Sequence, residues 1–383
     1  MLLVASSIAT AACEGPEFVT VDRPVDPAAP EGPVFPYRIR VERGTDPAAV
    51  PIVFVPGGPG FEVLEQGRAY GVVPAAYTVV TTELRGIGCN AAPGVRSPAS
   101  ADTRNHAEDV LAALAAAGID GFVVYGHSYG TVLGSVVASL AEQRGLHVRG
   151  ALFEGTVGRA MIGDDAWFDG FSVKWEELQR APGAQRLVRR IGRYDVGDEV
   201  WGEWLFGTLA AGNDHGGADP VLALGAGPAR PLREALRSVD LSPPEPAPDV
   251  VWATRETLCR ELIDESFVHA RLTREGFEPF DDACGDVAVD RPWDPREWPL
   301  RAPITYLQGD ADPVTPLARA VRDHAEAHPE APRTVVIARG AGHFTAAQLG
   351  DCVGPVFAAA VAGVPVDPGA CTRPLSVQVL PAR

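Results

Sequence analysis

The sequence predicts an α/β protein: a mostly parallel, doubly wound sheet interrupted by an inserted helical cap. Three observations carry this. Between residues 37 and 153, short β-branched runs alternate with helical segments, the order that builds a parallel sheet covered on both faces. From about 158 to 299 the alternation gives way to amphipathic helical stretches around Gly- and Pro-rich joints. After Pro303, strand and helix resume. The expected organisation is an export signal at 1–13, a first part of the core at 14–157, the cap at 158–299, and a second part of the core with a cysteine-containing tail at 300–383.

The elements follow from local pattern. From Tyr37, YRIRVE alternates apolar and polar residues as a half-buried strand does. Residues 52–55 (IVFV) form a continuous apolar run that ends in the glycine-rich loop Pro56-Gly57-Gly58-Pro59-Gly60. Residues 77–82 (YTVVTT) are a further strand, followed by Glu83-Leu84-Arg85-Gly86. Helical spacing over 105–117 stops at Gly118, 122–125 is a short buried strand, and 131–143 sets Val132, Leu133, Val136, Val137 and Leu140 on one helix face. A strand at 148–153 closes the first half. In the cap, 167–179, 184–194 and 251–272 read as helices, with the linker LSPPEPAPD between the second and third. The second half reads as strand 304–307, a turn at Gly309-Asp310, helix 316–327, strand 334–338 and a loop at 339–344.

Length and charge exclude several classes. At roughly 100 to 200 residues per domain, 383 residues suffice for a core with a large insertion. With 33 Lys+Arg against 50 Asp+Glu, the formal charge of −17 repels nucleic acid and anionic lipid. Beyond the first dozen residues no apolar run reaches the roughly 18 residues of a spanning helix.

The segment MLLVASSIATAA is uncharged and ends in small residues before Cys13, as the apolar core and cleavage region of an export signal do. Ala11-Ala12-Cys13 also resembles a lipoprotein box, which makes Cys13 a candidate lipid anchor, although Thr10 stands where an aliphatic residue is usual. An even cysteine count and an export-like start favour disulfides over free thiols. Cys352 with Cys371 and Cys259 with Cys284 close short loops and are the preferred pairs among the fifteen connectivities six cysteines allow. A lipidated or removed Cys13 would leave Cys89 over.

Gly126-His127-Ser128-Tyr129-Gly130 matches GxSxG between a predicted strand and a predicted helix, the setting of a nucleophile elbow. A serine hydroxyl needs an oriented imidazole as base, so an acid and then a histidine are sought downstream. Asp312 and His343 both lie in loops after resumed strands, at the carboxyl edge of a parallel sheet and beside the elbow. Asp310 is the competing acid, read more readily as a turn residue beside Gly309. An oxyanion would be held by the Tyr129 amide and by one from the glycine loop, with Gly58 preferred and Gly57 second. His127 beside the serine reads as a packed elbow residue, His106, His215, His269, His324 and His328 lack partners at ligand spacing, and no metal or other cofactor is expected.

With these residues in view, the sequence resembles the α/β-hydrolase superfamily and, within it, the proline iminopeptidase and tripeptidyl aminopeptidase-like serine exopeptidases. The resemblance rests on Gly57-Gly58-Pro59-Gly60 (GGPG), Arg85-Gly86-Ile87-Gly88 (RGxG), the Ser128 elbow, Asp312 in a DPVTP loop, and His343 in GAGH. Pro56, where many proline iminopeptidases have histidine, and the segment 352–371 look like the secreted tripeptidyl branch. Glu83 and Cys89-Asn90 depart from the usual pattern. The resemblance implies that acidic residues in or near the cap bind the substrate α-ammonium; Glu154 and Glu261 are the candidates, Glu256 a weaker third.

The sequence therefore predicts an exported serine aminopeptidase that takes a peptide or a small ester or amide substrate. A carboxylesterase and a catalytically dead binding protein on the same scaffold are its rivals.

Overall fold

The computed structural model describes residues 13–65, 68–97, 100–160, 248–262, 269–272, 277–281, 284, 287–312 and 314–383. In chain order these form β1 (Phe18–Pro24), β2 (Val34–Glu42), β3 (Ile52–Val55), β4 (Val79–Thr81), α1 (Thr103–Ala116), β5 (Gly121–His127), α2 (Tyr129–Gln143) and β6 (His147–Glu154). Then come α3 (Pro248–Ala253), the hairpin strands β7 (His269–Leu272) and β8 (Phe277–Asp281), β9 (Ile304–Gly309), α4 (Leu317–Ala327), β10 (Arg333–Ala338), α5 (Val353–Ala362) and β11 (Leu375–Leu380).

Nine strands make one sheet in the order β1-β2-β4-β3-β5-β6-β9-β10-β11. The six from β4 to β10 in that order are parallel. Antiparallel pairs flank them: β1/β2 and β2/β4 on one side, β10/β11 on the other. The central strands β3 and β9 are buried along their whole length, because both sheet faces are covered. Alternation along β3 shows how. Val53 and Val55 belong to one core cluster with Val110 and Leu114 of α1 and Val132 and Val136 of α2, whereas Ile52 and Phe54 belong to a second with Val356 and Phe357 of α5.

The predicted strands and helices of the two core halves are present, with boundaries moved by a few residues. Helix α1 starts at Thr103 because Asp102 accepts the Arg104 N–H at 2.6 Å as its N-cap. Two expectations need correction or fall outside. The predicted helix at 251–272 is a short α3 continuing as a wider π-turn at Thr254–Cys259, and 269–272 is strand β7, paired with β8. Its partner is the next strand, 277–281, and that cross-strand pairing is a contact that helical periodicity does not register. The predicted cap helices at 167–179 and 184–194 lie outside the described residues. Helix α5 and strands β1 and β11 were not legible: α5 (VGPVFAAAVA) is apolar on every side and shows no face.

All six cysteines are paired, Cys13–Cys89, Cys259–Cys284 and Cys352–Cys371. Both preferred pairs are present. Cys89 is not left over, since it pairs with Cys13. No described helix is long and apolar enough to cross a membrane.

Candidate active site

Strand β5 ends at His127 and helix α2 begins at Tyr129, so Ser128 alone makes the turn, at φ 55° and ψ −125°. The flanking glycines are steric requirements. A β-carbon at Gly126 would run into the Gly130 carbonyl, and one at Gly130 into the Val55 carbonyl. The elbow is fixed by backbone bonds: the Ser128 N–H donates to the Glu154 carbonyl at 2.9 Å, and Thr131 donates N–H and Oγ1 to the Ser128 carbonyl, each at 2.8 Å. The glycine loop passes close by. A β-carbon on Gly57 would lie 3.0 Å from both the Ser128 Cβ and His127 Nδ1, and Gly58 has φ 111°.

The acid and the histidine meet. His343 Nδ1 lies 3.0 Å from Asp312 Oδ2, with both side chains buried. Four further bonds hold that carboxylate: Oδ2 accepts from Thr315 Oγ1 at 2.6 Å and Gln308 Nε2 at 2.9 Å, and Oδ1 accepts the N–H groups of Val314 at 2.8 Å and Thr315 at 3.1 Å. Burial pushes the Asp312 carboxyl up, but the His343 charge, its hydrogen bond and the Thr315 bonds outweigh it and hold the group below the ordinary aspartate value. Burial likewise pulls His343 down, while the Asp312 charge and hydrogen bond, with the Glu154 charge, bring it above the ordinary histidine value. Asp310 is exposed and accepts the Gly340 N–H at 2.6 Å, a turn role apart from the histidine.

Gly155, at φ 57°, brings the two halves of the site together: a β-carbon there would lie 2.9 Å from His343 Cε1 and 3.0 Å from its Nδ1. His127 lies under the histidine, its ring centroid 4.9 Å from that of His343 and 4.7 Å from that of Phe344. Its pKa is pulled down to about 3, first by burial and then by the His343 charge, so it stays neutral and packs. Phe344 and Phe61, next to the histidine and to the glycine loop, are large apolar side chains left well exposed, at 38% and 44%.

A family profile described as the alpha/beta hydrolase fold matches residues 50–347. The chain belongs to the α/β-hydrolase fold family. Among solved structures it is similar to proline iminopeptidase from Mycobacterium smegmatis, with a TM-score of 0.52, 13% identity, and 89% of this chain and 96% of that one covered. It is also similar to Rv0554 from Mycobacterium tuberculosis, with a TM-score of 0.51, 17% identity, and coverage of 90% and 99%. At such identities the likeness is one of fold. No curated protein matches.

In this α/β hydrolase the two departures from the expected pattern have structural work. Glu83 accepts the N–H groups of Val63 at 2.8 Å, Leu64 at 3.3 Å and Cys89 at 2.8 Å, fastening the segment after the glycine loop to the RGxG turn. Asn90 pairs with both backbone groups of Arg38, accepting at 2.6 Å and donating at 3.1 Å, as a neighbouring strand would. The arginine of RGxG, Arg85, is buried and binds Asp109 twice, at 2.7 and 2.8 Å, while Arg23 of β1 binds the same carboxylate at 2.7 Å.

The two acids expected to meet an ammonium are both buried beside the site and bonded to its framework. Glu154 is 2% exposed; its Oε2 accepts from the Tyr125 hydroxyl and its Oε1 from the Ala346 N–H. Glu261 is 5% exposed and accepts from both the N–H and the hydroxyl of Thr103 at the start of α1, where Thr103 Oγ1 also meets the Tyr129 hydroxyl at 2.8 Å. Both oxygens of each carboxylate are thus engaged by donors among the described residues. Glu256, the third candidate, pairs with Arg260 at 2.8 Å. Gln308 and Thr315 were missed. Thr315 lay within the DPVTP motif, but Gln308 carries no sequence signal beyond closing a strand.

Proposed function

We propose that the chain is a serine hydrolase working through an acyl-enzyme. Ser128 Oγ attacks the substrate carbonyl as His343 takes its proton; His343 returns it to the leaving amine or alcohol; a water then repeats the sequence to release the acid. Asp312 orients the imidazole and stabilises its charged form, and the Gly58 and Tyr129 amides hold the oxyanion. The observation that carries the reading is the buried Asp312–His343 pair at 3.0 Å, with His343 packed against the Gly155 that follows Ser128's own backbone partner, Glu154.

Within this class we favour an aminopeptidase that releases an N-terminal residue, proline included, or a short peptide. The GGPG and RGxG motifs support it, as does the likeness in fold to a proline iminopeptidase. Three disulfides and the apolar start support an exported protein. The deciding assay compares alanyl-, prolyl- and Ala-Ala-Pro-linked chromogenic amides with their N-acetylated forms and with p-nitrophenyl butyrate, using Ser128→Ala as blank. Amide cleavage abolished by acetylation is the expected result. Ester turnover without amide cleavage assigns an esterase, and failure of a fluorophosphonate to label Ser128 assigns a non-catalytic scaffold.

A further inference from the structure

Glu154 connects the two halves of the candidate catalytic machinery through different atoms. Its carbonyl accepts the Ser128 N–H at 2.9 Å. Its Oε1 accepts the N–H of Ala346 at 2.6 Å, three residues past His343 on a loop 192 positions away in sequence. Its Oε2 takes the Tyr125 hydroxyl from the neighbouring strand β5, and the next residue, Gly155, leaves room only for the His343 ring. A buried carboxylate is costly unless its bonds are made, and here they are made to one strand and to the histidine loop.

The geometry points to Glu154 as a positioning residue of the hydrolase. Its backbone holds the nucleophile, its carboxylate holds the loop carrying the base, and its negative charge stabilises the imidazolium. This rests on the serine-hydrolase reading above and differs from the ammonium-binding role expected of the residue.

The charges around the pair are consistent with that role. His343 faces Asp312 from the loop after β9, Glu154 from β6 and the neutral His127 from β5. Glu154 faces Tyr125, His343 and Asp312; burial pushes its own pKa up to about 7, against the opposing effects of Tyr125, the Ala346 N–H and His343. The proton that must leave His343 before it can act as base is thus held by two carboxylates, and their titrations belong to the group as a whole.

The test is the pH dependence of kcat/KM for p-nitrophenyl acetate and for the best free-amine amide, in the whole chain and in Glu154→Gln and Glu154→Ala, with fluorophosphonate labelling to count active sites. Glutamine keeps an acceptor for Ala346 but removes the charge. Its acid limb is expected at lower pH than wild type, with KM for both substrates within about twofold. Alanine releases the loop, and kcat per labelled site is expected to fall roughly tenfold to a hundredfold, the scale of a small misplacement of reacting groups. If Glu154→Ala does not fold, the glutamine profile decides alone. A glutamine profile superimposed on wild type overturns the proposal. So does a KM that rises for the free-amine amide only, which restores the ammonium role. Absence of both turnover and labelling in wild type sinks the hydrolase reading itself, and the positioning role with it.

Discussion

Ser128 sits in a backbone region that L-residues avoid, and such a residue persists at a cost of about 1–3 kcal/mol because its surroundings over-determine it. Those surroundings are Gly126, Gly130 and the bonds to Glu154 and Thr131. Ser128→Gly should therefore unfold at a higher temperature than wild type while losing all turnover; a lowered Tm would show that the turn is not strained. Gly155 gives the converse case. Alanine there would be strained at φ 57° and would push on the His343 ring, so Gly155→Ala should lower kcat sharply with little change in far-ultraviolet circular dichroism. Asp312→Asn keeps the size of the side chain but presents an amide to the histidine, and a loss of roughly 10⁴ in kcat is expected if Asp312 is the orienting acid.

At the scale of elements, a buried charge cluster ties pieces of the first half of the core together beside its apolar packing. Asp109 on α1 receives Arg85 from the RGxG turn and Arg23 from β1. Neutralising it strands a buried guanidinium, and breaking such a pair typically costs about 3–5 kcal/mol. Asp109→Asn should lower the urea midpoint accordingly; an unchanged midpoint would mean that water reaches Arg85. The disulfides act on the ends of elements. Cys13–Cys89 spans 76 positions, against 25 for Cys259–Cys284 and 19 for Cys352–Cys371. In the chain-entropy account the long loop is worth roughly 4 kcal/mol and the short ones roughly 3. The Cys13→Ser/Cys89→Ser double variant is expected to lose more stability than Cys352→Ser/Cys371→Ser, as measured by chemical denaturation.

For the whole molecule, buried titratable groups set a pH dependence whose sign can be worked out. Burial is the main force pushing Glu83, Glu154 and Glu261 up to about 7. Below about 7 they keep, when folded, protons that the unfolded chain releases above roughly 4.3, so their stabilisation is full below that unfolded value and fades as pH rises towards 7; the Glu154 charge acts on His343 as the group ionises near and above 7. Burial also pulls His106, His127, His324 and His328 down, to about 3 for His127 and about 4 for His328. They take up protons on unfolding, so stability is lost as pH falls below roughly 6.5. Between those limits four histidines oppose three glutamates and the slope is shallow. On the alkaline side the glutamates and the raised His343 act, on the acid side the histidines and the lowered Asp312. Tm plotted against pH should show a plateau on the acid side of neutrality with a fall on each flank; a maximum above pH 8 would contradict this assignment of buried groups.

The same molecule separates what local sequence determines from what folding decides. The elbow, the glycine loop, Asp312 and His343 were legible because each needs a particular residue type in a short window, and the strand–helix alternation placed all four at one sheet edge. The preference for Asp312 over Asp310 agrees with the geometry, since only the former reaches the histidine. The Cys259–Cys284 and Cys352–Cys371 pairs were legible because they close short loops. Helix α5, the end strands β1 and β11 and the Cys13–Cys89 bond were not, because each depends on a partner well removed in sequence or on burial that leaves no period, and the β7/β8 hairpin was not because its first strand lies in a stretch of helical spacing. The acids show the division most clearly. Glu154 and Glu261 stand out in the sequence as carboxylates near the site, but only the tertiary structure sets their partners, Ala346 lying 192 positions from Glu154 and Thr103 lying 158 from Glu261. A carboxylate's chemistry is fixed by its residue type, whereas its role depends on which donors the fold brings to its two oxygens and on whether any water remains beside them.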